Sequence, residues 1–274
     1  MDIQQKYFVQ YMIKNGTVPV QKALAICQKI PQGSIQDLVQ LKYSIIVINR
    51  EISKQYFKIA NTTCEVTGQD LFIWANTKND NISKLQITFK AIELEYFHAI
   101  LQEILNSEDY RLKYIVVVNI TSTLTASFTR VNGQTLLTKW IKSGYFIKNG
   151  EYVHLGPRLI LEFTSYLMTH RPDQTCKLCS ELVFTGKKCG SCGRLLHTHC
   201  LQKYLTNQST CPVCKELWQD VPNETLMPHT QNNVNEEDTD DQYDESSEES
   251  TPMDSQYDEP IAGPSQGKGS RRII

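Results

Sequence analysis

Hydrophobic residues recur at helical spacing through the first fifty residues, where a glycine and a proline separate three predicted helices. The apolar positions of these helices are Ile3, Tyr7, Tyr11 and Met12, then Val20, Ala23, Leu24 and Cys27, then Leu38, Leu41, Ile45, Ile48 and Ile52. Ser34 is a suitable N-cap for the third helix. Its steps of three and four also suit a coiled-coil seam, but the stripe is short, so packing within a small domain is favoured.

Two β-rich runs, residues 57–60 and 71–74, flank Thr67-Gly68-Gln69-Asp70 and predict a hairpin. The same plan returns in residues 91–170. There the predicted elements are a helix carrying Leu94, Phe97, Ile100, Leu101, Ile104 and Leu105, a β-rich run at 114–120, a helix carrying Leu136, Leu137, Trp140 and Ile141, a hairpin at Asn149-Gly150, and a last helix carrying Leu159, Ile160, Phe163 and Leu167.

Helices followed by a two-stranded wing resemble the winged helix, so an α+β chain with tandem winged-helix domains is predicted at residues 1–90 and 91–172. In a DNA-binding interpretation, residues 135–142 are the recognition helix, with Thr138, Lys139 and Lys142 exposed. Two lysines without an arginine fork give a weak basis for base recognition. Protein docking is therefore favoured over weak DNA contact, since a fold does not fix a function.

Charge divides the chain unevenly. Residues 223–274 hold 13 acidic and 3 basic residues, a balance of −10, whereas the preceding part holds 17 acidic and 25 basic residues, a balance of +8. The acidic stretch has few aromatic residues and cannot bury enough apolar surface to offset the entropy of ordering. Residues 221–274 are therefore predicted to be a disordered tail.

The sequence predicts a soluble protein of a reducing compartment. No apolar run approaches the roughly 20 residues that a membrane-spanning helix needs, and residues 114–120 are only strand-sized. Met1-Asp2-Ile3-Gln4-Gln5-Lys6 does not have the pattern of a secretory signal peptide. Membrane association is therefore not expected.

Seven of the nine cysteines are concentrated in one short stretch with a histidine at ligand spacing. The pattern is Cys176-x2-Cys179-x9-Cys189-x2-Cys192-x4-His197-x2-Cys200-x10-Cys211-x2-Cys214. Eight nitrogen and sulfur ligands in four pairs make two tetrahedral zinc sites, whereas seven cysteines in disulfides would leave one unpaired. The sequence therefore predicts two bound Zn²⁺ ions.

Spacing alone does not decide which pairs share an ion. In a cross-brace, one ion binds Cys176, Cys179, His197 and Cys200, and the other binds Cys189, Cys192, Cys211 and Cys214; sequential binding is the alternative. His199 competes with His197 for the fifth ligand position. The two-residue gap that recurs in the other pairs favours His197, and His199 is expected to face solvent or to lie beside a ligand without binding the ion.

Four cysteines, one histidine and three cysteines, with Leu178 between the first two ligands and Cys211-Pro212-Val213-Cys214-Lys215 at the end, resemble a variant RING finger. Plant homeodomain fingers share this ligand order, but they usually carry an aromatic residue where this chain has Ser209. The RING resemblance, which covers residues 173–220, implies the cross-brace.

Tandem winged helices before such a RING, with His154-Leu155-Gly156-Pro157-Arg158 and an Arg171-Pro172 linker, resemble the non-SMC element one family. This is the RING subunit of the complex built on the fifth and sixth structural-maintenance-of-chromosomes (SMC) proteins. The resemblance implies a nuclear ubiquitin ligase subunit in DNA repair and recombination. It also implies a MAGE-domain partner and a kleisin partner.

The same resemblance implies that a ubiquitin-conjugating enzyme docks on Leu178 and Pro212, with Lys215 in the position of the cationic residue that holds ubiquitin. Such a module has no nucleophile of its own and accelerates transfer by positioning an activated thioester. The histidine is the fifth ligand here and the fourth in the commoner RING, and we expect ligase activity that is weak alone and dependent on a partner. A zinc-stabilised docking scaffold without catalysis is the alternative.

Overall fold

A computed structural model describes residues 1–30, 33–78 and 89–219. The predicted disordered tail, residues 221–274, lies outside the described residues. In the described residues the chain mixes helices with small antiparallel sheets. No helix among them combines the length and hydrophobicity needed to cross a membrane.

The first part of the chain packs three helices against a three-stranded sheet. Its elements are α1 (Ile3–Asn15), β1 (Thr17–Pro19), α2 (Val20–Gln28), α3 (Leu38–Ile52), β2 (Phe57–Thr63) and β3 (Asp70–Asn76). The antiparallel sheet has the order β1-β3-β2. The hairpin predicted around residues 67–70 is present, with Thr63 paired to Asp70. Phe8, Ile48 and Phe72 lie in the core between helices and sheet.

The second part repeats this plan around a larger aromatic core. It consists of α4 (Ala91–Asn106), β4 (Arg111–Lys113), α5 (Tyr114–Asn119), α6 (Arg130–Lys142), β5 (Phe146–Asn149), β6 (Tyr152–Leu155), α7 (Pro157–Glu162) and α8 (Thr164–His170). The sheet order is β4-β6-β5. The hairpin at Asn149-Gly150 is confirmed, since Asn149 pairs with Tyr152. Trp140 and Phe97 are fully buried, with ring centroids 5.1 Å apart.

Each hairpin belongs to a three-stranded sheet, which has one strand more than the sequence predicted. β1 and β4 are three residues long, and each pairs with the returning strand of its hairpin. Such short strands carry too few residues to show alternation. Their positions depend on the partner strand rather than on local pattern.

The β-rich run at residues 114–120 is a helix, so the predicted strand is wrong. Its β-branched residues favour a strand locally, but β4 ends at Lys113 and the chain turns into α5. Val117 and Val118 are buried there, whereas Ile115 and Val116 are exposed, as one-sided helical packing requires. Tertiary burial overrides the local β preference.

Helix boundaries and one helix face also differ from the prediction. Asp37, not Ser34, caps α3, because its side chain accepts from the Gln40 N–H and the Gln40 side chain reaches back. In α1, Ile3 is 80% exposed, while Gln4 is buried and donates to the Cys27 carbonyl at 2.8 Å. The predicted last helix divides into α7 and α8 at Phe163.

A buried carboxylate connects the first sheet to the second part of the chain. Glu162 accepts from the Asn76 backbone N–H at 2.9 Å, the Tyr145 hydroxyl at 3.0 Å and the Arg158 guanidinium at 3.1 Å. The Arg158 guanidinium also lies over the Tyr145 ring at 4.5 Å. Close packing surrounds this network, because a Cβ on Gly156 would lie 2.3 Å from the Gly144 carbonyl oxygen.

The C-terminal described segment has little regular structure. It contains β7 (Lys187–Lys188), β8 (Leu195–Leu196) and α9 (Thr198–Leu205). Its own core is small: Cys176, Val183, Leu196 and Leu201. Leu182 and Phe184 instead pack into the core of the second part, and the Phe184 ring meets Tyr110 edge to face at 5.3 Å. The domain boundaries proposed from the sequence stay predictions.

Candidate metal centre

Three of the four ligand pairs lie on turns with the same backbone geometry. In each turn the residue after the second cysteine has a positive φ, with values of 64° at Ser180, 68° at Gly193 and 65° at Lys215. The N–H of that residue donates to the carbonyl of the first cysteine, at distances from 2.8 to 3.1 Å. Each turn thereby directs two thiols to one side, so the local sequence Cys-x-x-Cys is sufficient to build half a metal site.

The fourth pair is held by a helix. His197 is the N-cap residue of α9, and Cys200 lies in its first turn. The preceding strand is fixed by a close approach at Gly186, where a Cβ would meet the Leu196 carbonyl oxygen at 2.1 Å. A side chain at residue 186 would therefore displace the strand that carries His197 into place.

These elements bring the eight predicted ligands together in two groups of four. Within each group all donor atoms lie within 4.8 Å of one another, and the groups are Cys176, Cys179, His197 and Cys200, then Cys189, Cys192, Cys211 and Cys214. The first pair of ligands lies beside the third, and the second pair lies beside the fourth, which is the interleaved arrangement.

The donor distances fit tetrahedral coordination. Two thiolates that share an ion at about 2.3 Å are about 3.8 Å apart. The sulfur atoms of Cys189 and Cys214 are 3.8 Å apart, and those of Cys192 and Cys211 are 3.9 Å apart. In the other group, His197 Nδ1 lies 3.3 Å from the Cys179 sulfur and 3.8 Å from the Cys200 sulfur. Either group can therefore close around one metal ion.

The close approach of the cysteine thiols in the first ligand group also favours binding of a cation. Burial, together with the neighbouring Cys179 and Cys176 thiols, raises the pKa of the Cys200 thiol to about 11. Burial also raises the pKa of Cys176, but hydrogen bonds with His197 and with nearby backbone N–H groups lower it to about 6. Several thiolates held this close repel one another, and a bound dication removes that repulsion.

A carboxylate from the first part of the chain completes the surroundings of His197. Glu65, in the turn between β2 and β3, places Oε1 3.0 Å from His197 Nε2. Glu65 could not be found from the sequence, because it lies 132 residues from His197 along the chain and belongs to no motif. His199 stacks on His197 with ring centroids 5.0 Å apart and lies outside both ligand groups.

Comparison with known proteins identifies the family. A family model described as "Nse1 non-SMC component of SMC5-6 complex" matches residues 5–163, more than half of the chain. A RING-like domain model matches residues 176–214. The chain belongs to the Nse1 family. The predicted family resemblance is thereby confirmed, as is a RING-like C-terminal domain.

Proteins from several animals that are similar to this chain share one name, non-structural maintenance of chromosomes element 1 homolog. A non-structural maintenance of chromosomes element 1 homolog from Drosophila melanogaster is 31% identical over 157 residues, which are 56% of this chain and 67% of that protein. The Homo sapiens homolog is 26% identical over 220 residues, 77% of this chain and 82% of that protein. A chain of a solved "Nse1-Nse3-Nse4 complex" matches with TM-score 0.67 and 22% identity, over 80% of this chain and 97% of that chain, which shows a shared fold.

On the RING-like domain of this Nse1-family chain, the three predicted contact residues lie in two different settings. Pro212 and Lys215 share the last turn, where Lys215 is exposed and its Nζ donates to the Pro212 carbonyl at 3.3 Å. Leu178 is half-buried and packs against the small core of the domain. A change at Leu178 therefore affects packing as well as any contact surface.

Proposed function

We propose that the RING-like domain binds two structural Zn²⁺ ions in a cross-brace. The first ion is held by Cys176, Cys179, His197 and Cys200, and the second by Cys189, Cys192, Cys211 and Cys214. Cysteine-rich tetrahedral sites are typical of zinc, which has no redox chemistry and no geometric preference of its own. Four protein ligands leave no open position, so the role of each ion is structural.

The full chain purified without added metal is expected to contain two zinc ions, measured by elemental analysis against protein concentration. Chelation is expected to unfold the RING-like domain, because structural zinc supplies folding free energy. If elemental analysis finds two ions of another metal per chain, the identity of the metal in the proposal is wrong. If it finds a single ion per chain, the two-site cross-brace is contradicted.

The proposal places the chain in the nucleus as a chromosome-associated subunit that acts in DNA repair and recombination. It also assigns a MAGE-domain partner and a kleisin partner, supported by family membership and by the fold shared with the Nse1-Nse3-Nse4 complex. The two helix-and-sheet units, with their three-stranded wings, are proposed to be winged helices. Their role is protein docking rather than DNA recognition.

Exposed apolar surface supports docking. Val39, Tyr43 and Ile46 lie on one face of α3 and are 77%, 68% and 54% exposed. Ile46 also lines a groove of about 580 Å³ that α7, α8 and the RING-like domain border. On the helix of the DNA-binding interpretation, Lys139 makes a cation–π contact within the chain, since its Nζ lies 4.9 Å from the centroid of the Phe89 ring.

Ile46→Asp is expected to weaken binding of the MAGE-domain partner at least about 10-fold, because a charge in a buried apolar contact costs several kcal/mol. The measurement is titration calorimetry with the full chain. Val131→Asp is the matched control, since Val131 is 69% exposed on α6 and away from the groove. An equal loss of partner affinity in both variants would contradict docking at this face. Tight DNA binding with a steep salt dependence, without binding of a partner, would favour DNA contact over protein docking.

The RING-like domain is further proposed to act as an E3 ubiquitin ligase that positions a charged conjugating enzyme. The observation that supports this is the position of Lys215 directly after the last cysteine ligand. Its ammonium donates one hydrogen to the Pro212 carbonyl and has two further hydrogens to donate. Leu178 and Pro212 supply the apolar contact with the conjugating enzyme. Transfer then gains rate from proximity, without a nucleophile on this chain.

Lys215→Ala is expected to slow ubiquitin discharge from the conjugating enzyme several-fold in the presence of the MAGE-domain partner, with zinc content unchanged. Lys215→Arg is expected to preserve or raise the rate, because a guanidinium fork holds two acceptors. Lys215→Gly is the matched control for backbone strain: with φ at 65°, glycine relieves strain but removes the same charge. Wild-type discharge by both the alanine and glycine variants would favour the scaffold alternative.

A further inference from the structure

The segment at residues 182–185 connects three parts of the molecule. The Phe184 side chain packs in the core of the second part of the chain, against Tyr110. The Leu182 carbonyl accepts from His197 Nε2 at 3.0 Å. Phe184 and Thr185 donate their backbone N–H groups to Glu65. Glu65 belongs to the first sheet, so its carboxylate links that sheet to both other parts.

Both oxygens of Glu65 have donors. Oε1 shares the single His197 Nε2 hydrogen with the Leu182 carbonyl, each acceptor lying 3.0 Å from the nitrogen. Oε2 receives the N–H of Phe184 at 3.0 Å and that of Thr185 at 2.8 Å. The side chains of Glu65 and His197 are only 9% and 5% exposed. A carboxylate buried to this extent needs such donors, because removing a charge from water costs several kcal/mol.

The geometry of His197 separates its two nitrogens by role. Nδ1 faces the sulfur atoms of Cys179 and Cys200, whereas Nε2 faces Glu65 and the Leu182 carbonyl. An imidazole that binds a metal through one nitrogen keeps its hydrogen on the other, and an acceptor there fixes the tautomer and the ring orientation. A carboxylate acceptor also makes the imidazole a more basic ligand.

We propose that Glu65 is a positioning residue for the metal site formed by Cys176, Cys179, His197 and Cys200, and that it couples occupancy of this site to docking of the β2–β3 turn on the RING-like domain. This inference rests on the proposed zinc function. It makes the first site different from the second, whose four ligands are all cysteine sulfurs and include no imidazole for a carboxylate to orient. The N-terminal sheet therefore stabilises one ion and not the other.

Coupling acts in both directions. When an ion binds Nδ1, the imidazole holds its N–H toward Glu65. Without the ion, Nδ1 loses the bond that fixes the ring, so the N–H donated to the buried carboxylate is less well held. Metal removal from the first site is therefore expected to release the turn at residues 64–69, although that turn contributes no ligand. Reciprocal coupling of this kind follows from thermodynamic linkage.

The test is Glu65→Gln in the full chain, which keeps the shape of the side chain and removes its charge. Expected is a metal affinity about 10- to 100-fold weaker at one site only, the range typical for loss of an outer acceptor of a histidine ligand. Competition with a chromophoric chelator measures the two release steps. Cadmium NMR assigns them, because an ion with three thiolates and one imidazole gives a different signal from an ion with four thiolates.

Asp70→Asn is the matched control, because Asp70 is an exposed carboxylate on the same hairpin and accepts from the Thr63 hydroxyl at 2.6 Å. It is expected to leave both release steps unchanged. In a His197→Cys background, which keeps a ligand but removes the Nε2 donor, Glu65→Gln is expected to cause no further weakening. Hydrogen exchange at residues 64–69 and 184–185 is expected to accelerate when the first ion is removed.

Two results would overturn the inference. One is release of both ions from Glu65→Gln at the wild-type chelator concentration. The other is equal weakening by Glu65→Gln with and without His197, which would mean that the carboxylate acts only through the backbone of residues 184–185. A wild-type chain that binds no ion at the first site contradicts the zinc proposal instead, so the two failures are distinguishable.

Discussion

Cys189→Ala is expected to remove one metal ion from the chain and to unfold the RING-like domain. Cys189 is 2% exposed, and its sulfur lies 3.8 Å from that of Cys214 within the second ligand group. In zinc-finger peptides structural zinc contributes about 10–16 kcal/mol of apparent folding free energy. The small core of this domain cannot replace that contribution. Elemental analysis and hydrogen exchange over residues 187–214 measure the loss.

Cys27→Ala is the matched control, because Cys27 is equally buried but lies in the core of the first part. It is expected to retain both ions and to cost about 1 kcal/mol, the scale of a lost small apolar group. Burial raises the pKa of the Cys27 thiol to about 11, so this cysteine stays protonated and inert. Two ions retained in Cys189→Ala would place the second site elsewhere.

The grouping of the candidate metal ligands was largely predictable because its information is local. A two-residue gap forms the same turn in three places, and the turn alone places two sulfur atoms side by side. Pairing between turns was open from spacing and followed from the RING resemblance. Glu65 was not predictable, since its role depends on the packing of a turn in the first sheet against residues 184–185.

Elsewhere the failures have a common physical origin. Helices with long apolar stripes, such as α3 and α4, were predicted correctly. Each buries a single face against a single core, so its apolar residues recur at helical spacing. The run at 114–120 has strong strand propensity but sits where the chain must leave β4 and cover the core, so burial decides. In α1, Gln4 is buried because its amide bonds the backbone of Cys27 and Ile35, a contact that hydrophobic periodicity cannot reveal.

Glu162→Ala is expected to lower the free energy of unfolding by about 3–5 kcal/mol, the cost of leaving the partners of a buried charge unpaired. Its side chain is 1% exposed and accepts from Asn76, Tyr145 and Arg158. Folded proteins have a total free energy of unfolding of only about 5–15 kcal/mol, so this single change removes a large part of it. Urea denaturation of the full chain measures it, and hydrogen exchange at the Asn76 amide reports the contact with the first sheet.

Glu51→Ala supplies the comparison, because Glu51 pairs with Lys54 at 3.2 Å on the exposed end of α3. An exposed pair of this kind contributes about 0–1 kcal/mol, so the expected loss is small. Glu162→Gln is expected to fall between the two, since the amide oxygen still accepts from one donor while its NH₂ group faces the others. If Glu162→Ala and Glu51→Ala lose the same stability, the carboxylate does not hold the two sheets together, and the contact depends on the close glycine packing around Gly144 and Gly156 instead.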